Sequence, residues 1–256
     1  MPEFRPALSD GALPVGVALL ALLAWEAAVV LLAVPKVILP PPSAVAMELA
    51  GPRLAELALH AVPSGLQILS GFAVAAACGI LLAVLMAQSA LLRAALYPYM
   101  IALQVVPKIA LAPLFILWFG IGFASRFAFA TFICFFPVVI ATLAGLRDTP
   151  PEVIRMCRAI GATDAQVMLR VRLPFAVPYI FAGLKIAATM AVIGVVIGEF
   201  ISADRGLGYL ILYAASRSET SGVLAAIVVL CAIGLALYGL VALAERLVIA
   251  AQQGEW

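Results

Sequence analysis

Charged residues are scarce in this sequence. Only 11% of the 256 residues are Asp, Glu, Lys or Arg, whereas an average soluble domain has about 25%. Because 66% of the residues are hydrophobic, the chain lacks the polar side chains that a soluble fold of this size needs to cover its core. A soluble globular protein is therefore excluded, and the composition indicates an integral membrane protein embedded in a lipid bilayer.

Residues that build metal sites, disulfides and catalytic sets are also few. His60 is the single histidine, and the four cysteines show no CxxC spacing, so the sequence supports neither a metal site nor a disulfide framework. It contains no GxxxxGK[ST] phosphate loop, no HExxH and no GxSxG, which argues against an enzyme. A net charge of +2 without a long basic run makes nucleic acid an unexpected partner.

Long apolar runs make up most of the sequence. A helix that spans the bilayer needs about 20 mainly apolar residues, and runs of this length with at most two charges can be read along the chain. We predict an all-α integral membrane protein with a single transmembrane domain over residues 1–256. Its six spans are expected at about residues 14–34, 64–88, 96–120, 125–146, 176–201 and 222–246.

The distribution of Lys and Arg predicts the orientation of the chain. With the N-terminus inside, the loops on that side carry eight basic residues and the loops on the other side carry five. Cytoplasmic loops carry the excess of basic residues, so both termini are expected in the cytoplasm.

The segment between the first two spans contains three consecutive prolines, Pro40 to Pro42. Proline restricts its own φ and the conformation of the preceding residue, so an extended strut is expected on the outer face. Ser43 is a candidate cap for a short helix after the strut. Its apolar residues are predicted to lie on the membrane surface; they are Val45, Leu49, Leu54 and Leu57.

Residues 147–174 form the one long polar stretch of the sequence. Thr149 with Glu152 has the spacing of a capping box, with Pro150 at the first helical position. Gly161 is expected to end this helix in a left-handed conformation. Thr163 with Gln166 repeats the capping-box spacing, and the second helix is expected to stop before Pro174. The segment is thus predicted to form helix, glycine corner and helix.

The first of these helices is amphipathic. Val153, Met156, Cys157 and Ile160 recur at helical spacing and form one apolar stripe, whereas the charged residues lie on other faces. The stripe either packs on the spans of this chain or contacts a partner protein.

Small residues recur at four-residue spacing, which permits close approach of helices in a membrane. They are Gly71, Ala75 and Gly79, and Gly194 with Gly198. Packing within one subunit is the expected use of most of them, and contact between subunits is the alternative.

At this point the sequence resembles a known family. Gly161 is followed after nine residues by Val171, and then by Leu173 and Pro174. This pattern is similar to the EAA loop of the permease subunits of binding-protein-dependent ABC importers. Further segments resemble the branch that handles sulfonates, taurine, nitrate or bicarbonate and includes importers of vitamin precursors; these segments are LPPPSAV at 39–45, QVVPKIALAPLFILWFGIG at 104–122, FFPVVIATLAGLRD at 135–148, LPFAVPYIFAGLK at 173–185 and GLGYLI at 206–211.

The resemblance implies the fold of a type I ABC importer permease, with residues 147–174 as a cytoplasmic coupling loop. The residues that it assigns to coupling are Glu152, Arg155, Cys157, Arg158, Ala159, Gly161, Ala162 and Asp164. The chain departs from the family at one point. The positions of the usual Glu-Ala-Ala read Arg155, Met156 and Cys157, and Glu152 lies one turn earlier on a similar face.

The resemblance also implies the partners. They are two copies of a cytoplasmic ATPase that binds ATP and Mg, an extracytoplasmic substrate-binding protein and a second copy of this chain. The permease would bind no cofactor and would lie in the bacterial inner membrane. It would move a small solute, either an organic or inorganic anion or a vitamin precursor. The alternative function is an ion-coupled secondary transporter that works without an ATPase.

The third predicted span contains Pro107 next to a charge, Lys108. Irregular backbone at membrane depth is tolerated where protein or a water-lined cavity satisfies its polar groups, so Gln104, Pro107 and Lys108 are expected to line the translocation pathway. A lysine near the bilayer centre needs a partner. Lys108 either attracts an anionic cargo or is neutralised by Glu26 or by carbonyls freed near the prolines.

Labelling of a single cysteine tests the predicted orientation. In a cysteine-free background, Thr163→Cys should react with an impermeant thiol reagent only in inside-out vesicles, because residues 147–173 are expected in the cytoplasm. Modification of intact cells from outside would contradict the topology.

Overall fold

The computed structural model describes residues 12–202 and 204–254, and this part of the chain is built from helices and connecting turns. The helices are α1 (Ala12–Leu31), α2 (Pro42–Ala50), α3 (Arg53–Gln88), α4 (Ala90–Val105), α5 (Lys108–Phe119), α6 (Phe123–Arg147), α7 (Pro151–Ala159), α8 (Asp164–Val167), α9 (Leu173–Ser202), α10 (Leu207–Ser216) and α11 (Thr220–Gly254), with a π-helical turn at Met168–Arg172. The predicted cytoplasmic location of the termini concerns residues 1–11 and 255–256, which lie outside the described residues.

Five described helices are long and apolar enough to cross a membrane, and a bent helix pair brings the number to six. The five are α1, α3, α6, α9 and α11, which correspond to the first, second, fourth, fifth and sixth predicted spans. The all-helical, multi-pass prediction is confirmed. Helix α3 has 36 residues and begins at Arg53, well before the predicted start of the second span at residue 64.

The third span is not the single helix that residues 96–120 predict. Helices α4 and α5 meet at an angle of 104°. The break lies at Val106, whose φ of −60° and ψ of 131° are extended. A proline disfavours the helical conformation of the residue before it, so Pro107 sets this break. Pro98 and Pro113, by contrast, remain inside α4 and α5.

Pro174 does not stop the second helix of the polar segment, which corrects the prediction. Helix α8 passes through the π-helical turn Met168–Arg172 directly into α9. The N–H of Leu173 donates to the carbonyl of Met168, five residues earlier. This wider turn accommodates the proline ring, which would clash with the preceding turn of a regular α-helix.

Close packing of α6 against α9 and α3 forms the centre of the molecule. Ala130 of α6 lies between two glycines, since a Cβ added to Gly194 would be 2.9 Å from the Ala130 Cα and one added to Gly71 would be 3.0 Å from the Ala130 Cβ. Likewise, a Cβ on Gly79 would lie 2.9 Å from a methyl carbon of Val138. These small residues therefore serve packing within one subunit, as expected.

The short helix after the proline strut is present as α2, but the prediction that its apolar residues lie on the membrane surface is wrong for most of them. Val45 of α2 and Leu57 of α3 are 5% and 1% exposed and belong to the main hydrophobic core, against which Leu49 also packs. Leu54 is 51% exposed. Ser43 does not cap the helix. Its backbone N–H and hydroxyl donate to the two carboxylate oxygens of Glu26, at 3.0 Å and 2.7 Å, and so tie α1 to α2.

An ion-pair cluster joins the beginnings of α3 and α11. Arg53 pairs with Glu48, Glu56 and Glu219, and Arg217 also donates to Glu219. The hydrogen bond from Arg53, which has the larger effect, and the one from Arg217 lower the pKa of Glu219 below its usual value. The cluster lies in the region that the sequence places on the outer face.

The contact between Gly194 and Ala130 can be tested by adding one methyl group. Gly194→Ala should lower the free energy of unfolding by about 1–3 kcal/mol, because the added Cβ meets backbone and forces α6 away from α9. Gly16→Ala is the matched control. It has no atom within 4 Å of its added Cβ and should be neutral or stabilise by roughly 0.5–1 kcal/mol. Thermal unfolding in detergent measures both, and equal midpoints would contradict the tight contact.

Candidate functional site

The coupling loop contains the predicted glycine corner. Helix α7 ends at Ala159, and Gly161 has a φ of +87°. The N–H of Gly161 donates to the carbonyl of Arg158, and the N–H of Ala162 donates to the carbonyl of Cys157, both at 3.0 Å. This pair of bonds is a Schellman motif. Because glycine adopts positive φ without steric cost, Gly161 allows the chain to reverse direction here.

The two helix starts of the loop differ from each other. The capping box of Thr163 and Gln166 is confirmed, with both reciprocal hydrogen bonds formed. The box predicted at Thr149 and Glu152 is wrong. Helix α7 begins one residue later than expected with Pro151, and the Thr149 hydroxyl is buried without a partner among the described residues. Proline at the first helical position provides the start without a side-chain cap.

Charges on the coupling loop form local pairs. Arg155 donates to Glu152 at 3.0 Å, and Arg158 donates to Asp164 at 2.7 Å across the corner. All four side chains are more than half exposed, so each pair contributes little to stability. Their more important property is that they present both signs of charge to the solvent side of the loop.

The apolar stripe of α7 is only partly covered by the chain itself. Val153 and Cys157 are half-buried, whereas Met156 is 64% exposed and Ile160 is 81% exposed. Ala159 is exposed beside them. The loop therefore offers an apolar surface that the described part of this chain leaves open.

At the break between α4 and α5, Lys108 has a backbone partner. Its Nζ donates to the carbonyl oxygen of Gln104 at 3.3 Å, which a continuous helix would have used for the N–H of residue 108. The alternative pairing with Glu26 is not formed, and Glu26 accepts hydrogen bonds from Ser43 instead. The carbonyl freed by the proline break thus accepts one hydrogen bond from the lysine, and the pathway role of Lys108 stays a prediction.

A second polar site lies near the opposite end of α9, and sequence reasoning missed it. Glu199 is 1% exposed. Its Oε1 accepts from the hydroxyl of Ser64 and its Oε2 accepts from the N–H of Gly208, both at 2.7 Å. Ser64 Oγ in turn accepts from the N–H of Leu207 at 2.9 Å, and His60 Nδ1 accepts from the N–H of Gly206 at 3.0 Å. We call Glu199, Ser64, His60 and the backbone of residues 206–208 the Glu199 network.

This network fastens the start of α10 to α3 and α9. Glycine is required at Gly206, whose φ is +122° and where a Cβ would lie 2.1 Å from Glu199 Oε1. Gly208 is similarly close, with an added Cβ 2.9 Å from Glu199 Oε2. The buried Arg126 of α6 donates to the carbonyl oxygens of Gly122 and Arg205, at 2.9 Å and 3.2 Å. Four helices are therefore joined through polar contacts at this end.

The signal for the network was present in the sequence but ambiguous. A carboxylate ends the fifth apolar run, GLG follows seven residues later, and a single histidine precedes the second run. Each of these features is common at a membrane interface, and their distances along the chain do not indicate contact. Only the packing of α3 against α9 brings Ser64 within hydrogen-bond distance of Glu199, 135 residues away.

Replacing the buried carboxylate should loosen α10. Glu199→Leu leaves the N–H of Gly208 without its acceptor, at a cost of about 1–3 kcal/mol, so amide hydrogen exchange of residues 206–210 should accelerate by roughly tenfold or more. Glu56→Leu is the control, because Glu56 is a partly exposed carboxylate outside the network. Unchanged exchange at residues 206–210 in Glu199→Leu would show that the carboxylate does not hold this helix.

Comparison with known proteins connects this arrangement to transport. The chain is 36% identical to a probable ABC transporter permease protein of Haemophilus influenzae, over 85% of this chain and 88% of that protein. It is 37% identical to a riboflavin transport system permease protein of Chloroflexus aurantiacus, over 93% and 88%. It is 34% identical to a taurine transport system permease protein of Escherichia coli, over 92% and 88%.

A family model described as binding-protein-dependent transport system inner membrane component matches residues 76–250. This match covers the part of the chain from the middle of α3 to α11, including the coupling loop, the break between α4 and α5, and Glu199. The chain belongs to this family, and it is a multi-pass permease subunit of an ABC importer.

Proposed function

We propose that two copies of this chain form the membrane pathway of an ATP-driven importer in the bacterial inner membrane. Each coupling loop contacts one subunit of a cytoplasmic ATPase, which binds ATP and Mg. A substrate-binding protein delivers a small solute to the face that carries the Glu199 network. Both termini lie in the cytoplasm, in agreement with the excess of basic residues in the loops on that side.

The proposed contact with the ATPase rests on the exposed apolar surface of α7. Met156 and Ile160 project from a helix that contributes no buried residue to this chain. A hollow of about 370 Å³ lies beside Ile160; it is lined by Cys157, Ile160, Gly161, Ala162, Gln166, Val167, Arg170 and Val171. An apolar side chain of a partner that fills such a hollow would be fully desolvated, as the central contacts of protein interfaces are.

The charged residues around this surface would set the register of the contact. Arg155 stands where the resemblance leads us to expect an acid, and it is paired with Glu152. The paired charges Arg158 and Asp164 flank the corner, close to Gly161. Rim charges of this kind contribute to specificity more than to affinity.

One continuous helical element connects the coupling loop to the other polar site. From Asp164 to Ile201 the chain stays helical through α8, the π-turn and α9, which is about 57 Å at 1.5 Å per residue. Thr163 caps one end of this element, and Glu199 lies near the other. A displacement of the coupling loop by the ATPase would therefore move the Glu199 network as part of a rigid body.

The break between α4 and α5 is the proposed wall of the pathway. Gln104, Pro107 and Lys108 lie at the bend, where the helical hydrogen-bond ladder is interrupted. Such an interruption at membrane depth favours a position beside protein or a water-lined cavity over one beside lipid. The names of the relatives, a riboflavin and a taurine permease, support either a vitamin-like compound or a small anion as cargo.

Substitution of the corner glycine tests the coupling role. Gly161→Val places a β-branched side chain at positive φ, which costs on the order of 1–2 kcal/mol or more, and should reorient α7 against the ATPase. Uptake and cargo-stimulated ATPase activity of the reconstituted complex should fall at least about tenfold, whereas membrane insertion should persist.

Gly16→Val is the matched control, because it adds the same side chain to a glycine of α1 whose φ is not positive and whose added Cβ has no atom within 4 Å. It should retain most of the activity. Normal stimulated ATPase activity in purified Gly161→Val complex would exclude the corner as the coupling element.

A further inference from the structure

A cavity of about 870 Å³ opens between the first half of α3 and α10, directly beside the Glu199 network. Its polar and aromatic lining consists of Glu56, His60, Asp204, Arg205, Tyr209 and Tyr213. We call this space the aromatic cavity. Its volume lies within the range of about 300–1,000 Å³ that is typical of small-molecule sites.

Three rings in the lining have nearly parallel planes. The ring centroids of His60 and Tyr209 are 5.8 Å apart with an angle of 23° between the planes, and those of Tyr209 and Tyr213 are 6.0 Å apart with an angle of 21°. Tyr209 and Tyr213 are one helical turn apart on α10. A planar guest that is parallel to the middle ring, Tyr209, therefore lies within 23° of the planes of the other two rings.

Polar contacts within the chain position two of the three rings, those of His60 and Tyr213. The N–H of Gly206 donates to His60 Nδ1, so a neutral His60 carries its proton on Nε2, where it is a hydrogen-bond donor. Glu199 also holds this stretch of backbone, because its carboxylate accepts a hydrogen bond from the N–H of Gly208. At the far end, the guanidinium of Arg217 lies 5.6 Å from the ring centroid of Tyr213. Preorganised rings bind a ligand without a further loss of side-chain entropy.

The lining of the cavity has no excess of positive charge for an anion. Two carboxylates, Glu56 and Asp204, and one guanidinium, Arg205, line it, and Glu56 is already paired with Arg53. The π faces of the tyrosines are also electron-rich. A site for a small anion would need an excess of donors and positive charge. The combination of ring faces with carboxylate acceptors instead suits a flat molecule with N–H donors or a positive charge.

We propose that the aromatic cavity is a recognition site for a planar nitrogen heterocycle, neutral or cationic, of the size of a pyrimidine or a flavin. The proposal rests on the proposed import function, because the cavity lies on the face to which the binding protein would deliver cargo. It narrows the cargo to this class and disfavours sulfonates and inorganic anions. A ligand in this position contacts the loop between α9 and α10 and hence the end of the helical element that begins at the coupling loop.

Binding to the full-length chain in nanodiscs, without the ATPase, tests the site. Riboflavin is the fluorescent probe, since stacking against tyrosine quenches its emission, and cytosine and taurine are the competitors. The fluorescence of riboflavin should be quenched saturably as the chain is added. Cytosine should displace riboflavin and restore the fluorescence, whereas taurine should not. Tyr209→Leu removes the middle ring and should raise the Kd about 3- to 10-fold, the typical effect of one aromatic contact.

Two controls separate stacking from a general disturbance of the fold. Tyr209→Phe keeps the ring, and Tyr99→Leu removes an exposed tyrosine of α4 outside the cavity; both should change the Kd by less than about twofold. The proposal is overturned if neither riboflavin nor cytosine binds, if taurine displaces riboflavin, or if Tyr209→Leu binds riboflavin as the unchanged chain does.

Uptake by the complete complex in liposomes distinguishes failure of this site from failure of the importer function. ATP-dependent import of taurine, together with no heterocycle binding, would overturn the aromatic site and leave the importer function intact. Heterocycle binding that depends on Tyr209, in a complex whose uptake of the same compound does not require ATP, would support the site and contradict the importer function.

Discussion

The hydrocarbon interior of a bilayer offers no hydrogen-bond partners, and this constraint acts on the polar groups that lie at membrane depth. Backbone groups are satisfied inside long helices, and three charged side chains of the spans have partners within the chain. Glu26 accepts from Ser43, Lys108 donates to a freed carbonyl, and Lys185 pairs with Glu245 at 2.5 Å. The apolar surface left outside these contacts is available to lipid and to other subunits.

The same constraint explains why irregular backbone lies where it does. The bend at Val106–Pro107 is stabilised by Lys108, and the start of α10 is stabilised by Glu199 and Ser64. At these two places a side chain supplies a hydrogen-bond partner to the interrupted backbone. Such sites are good candidates for function because the chain keeps them despite the cost of burying charged and polar groups.

Helix α9 lies between the coupling loop and the Glu199 network. It packs closely on α6 through Gly194 and Gly183, which leaves little room for sliding between these two helices. One continuous helical element, Asp164–Ile201, joins the end of the Gly161 corner to the Glu199 network. The aromatic cavity, in contrast, lies between α3 and α10, so the position of α10 relative to α3 determines its shape.

Local patterns in the sequence determined the class of the protein and much of its local structure. Apolar runs fixed the membrane spans because only helices of sufficient length satisfy the backbone in lipid. The Thr163–Gln166 box and the Gly161 corner were also predictable, since their hydrogen bonds involve residues close together in the chain. The Thr149 box failed because Pro151 starts α7 instead.

Tertiary structure decided everything that depends on residues distant in sequence. Hydrophobicity alone placed Val45 and Leu57 at the membrane surface, whereas packing of α2 and α3 against the core buries them. The partner of Glu26, the bend of 104° and the Glu199 network depend on which helices lie side by side. The same holds for the parallel rings of His60, on α3, and Tyr209, on α10. Such contacts follow from the shape of the packed bundle, and no spacing along the chain encodes them.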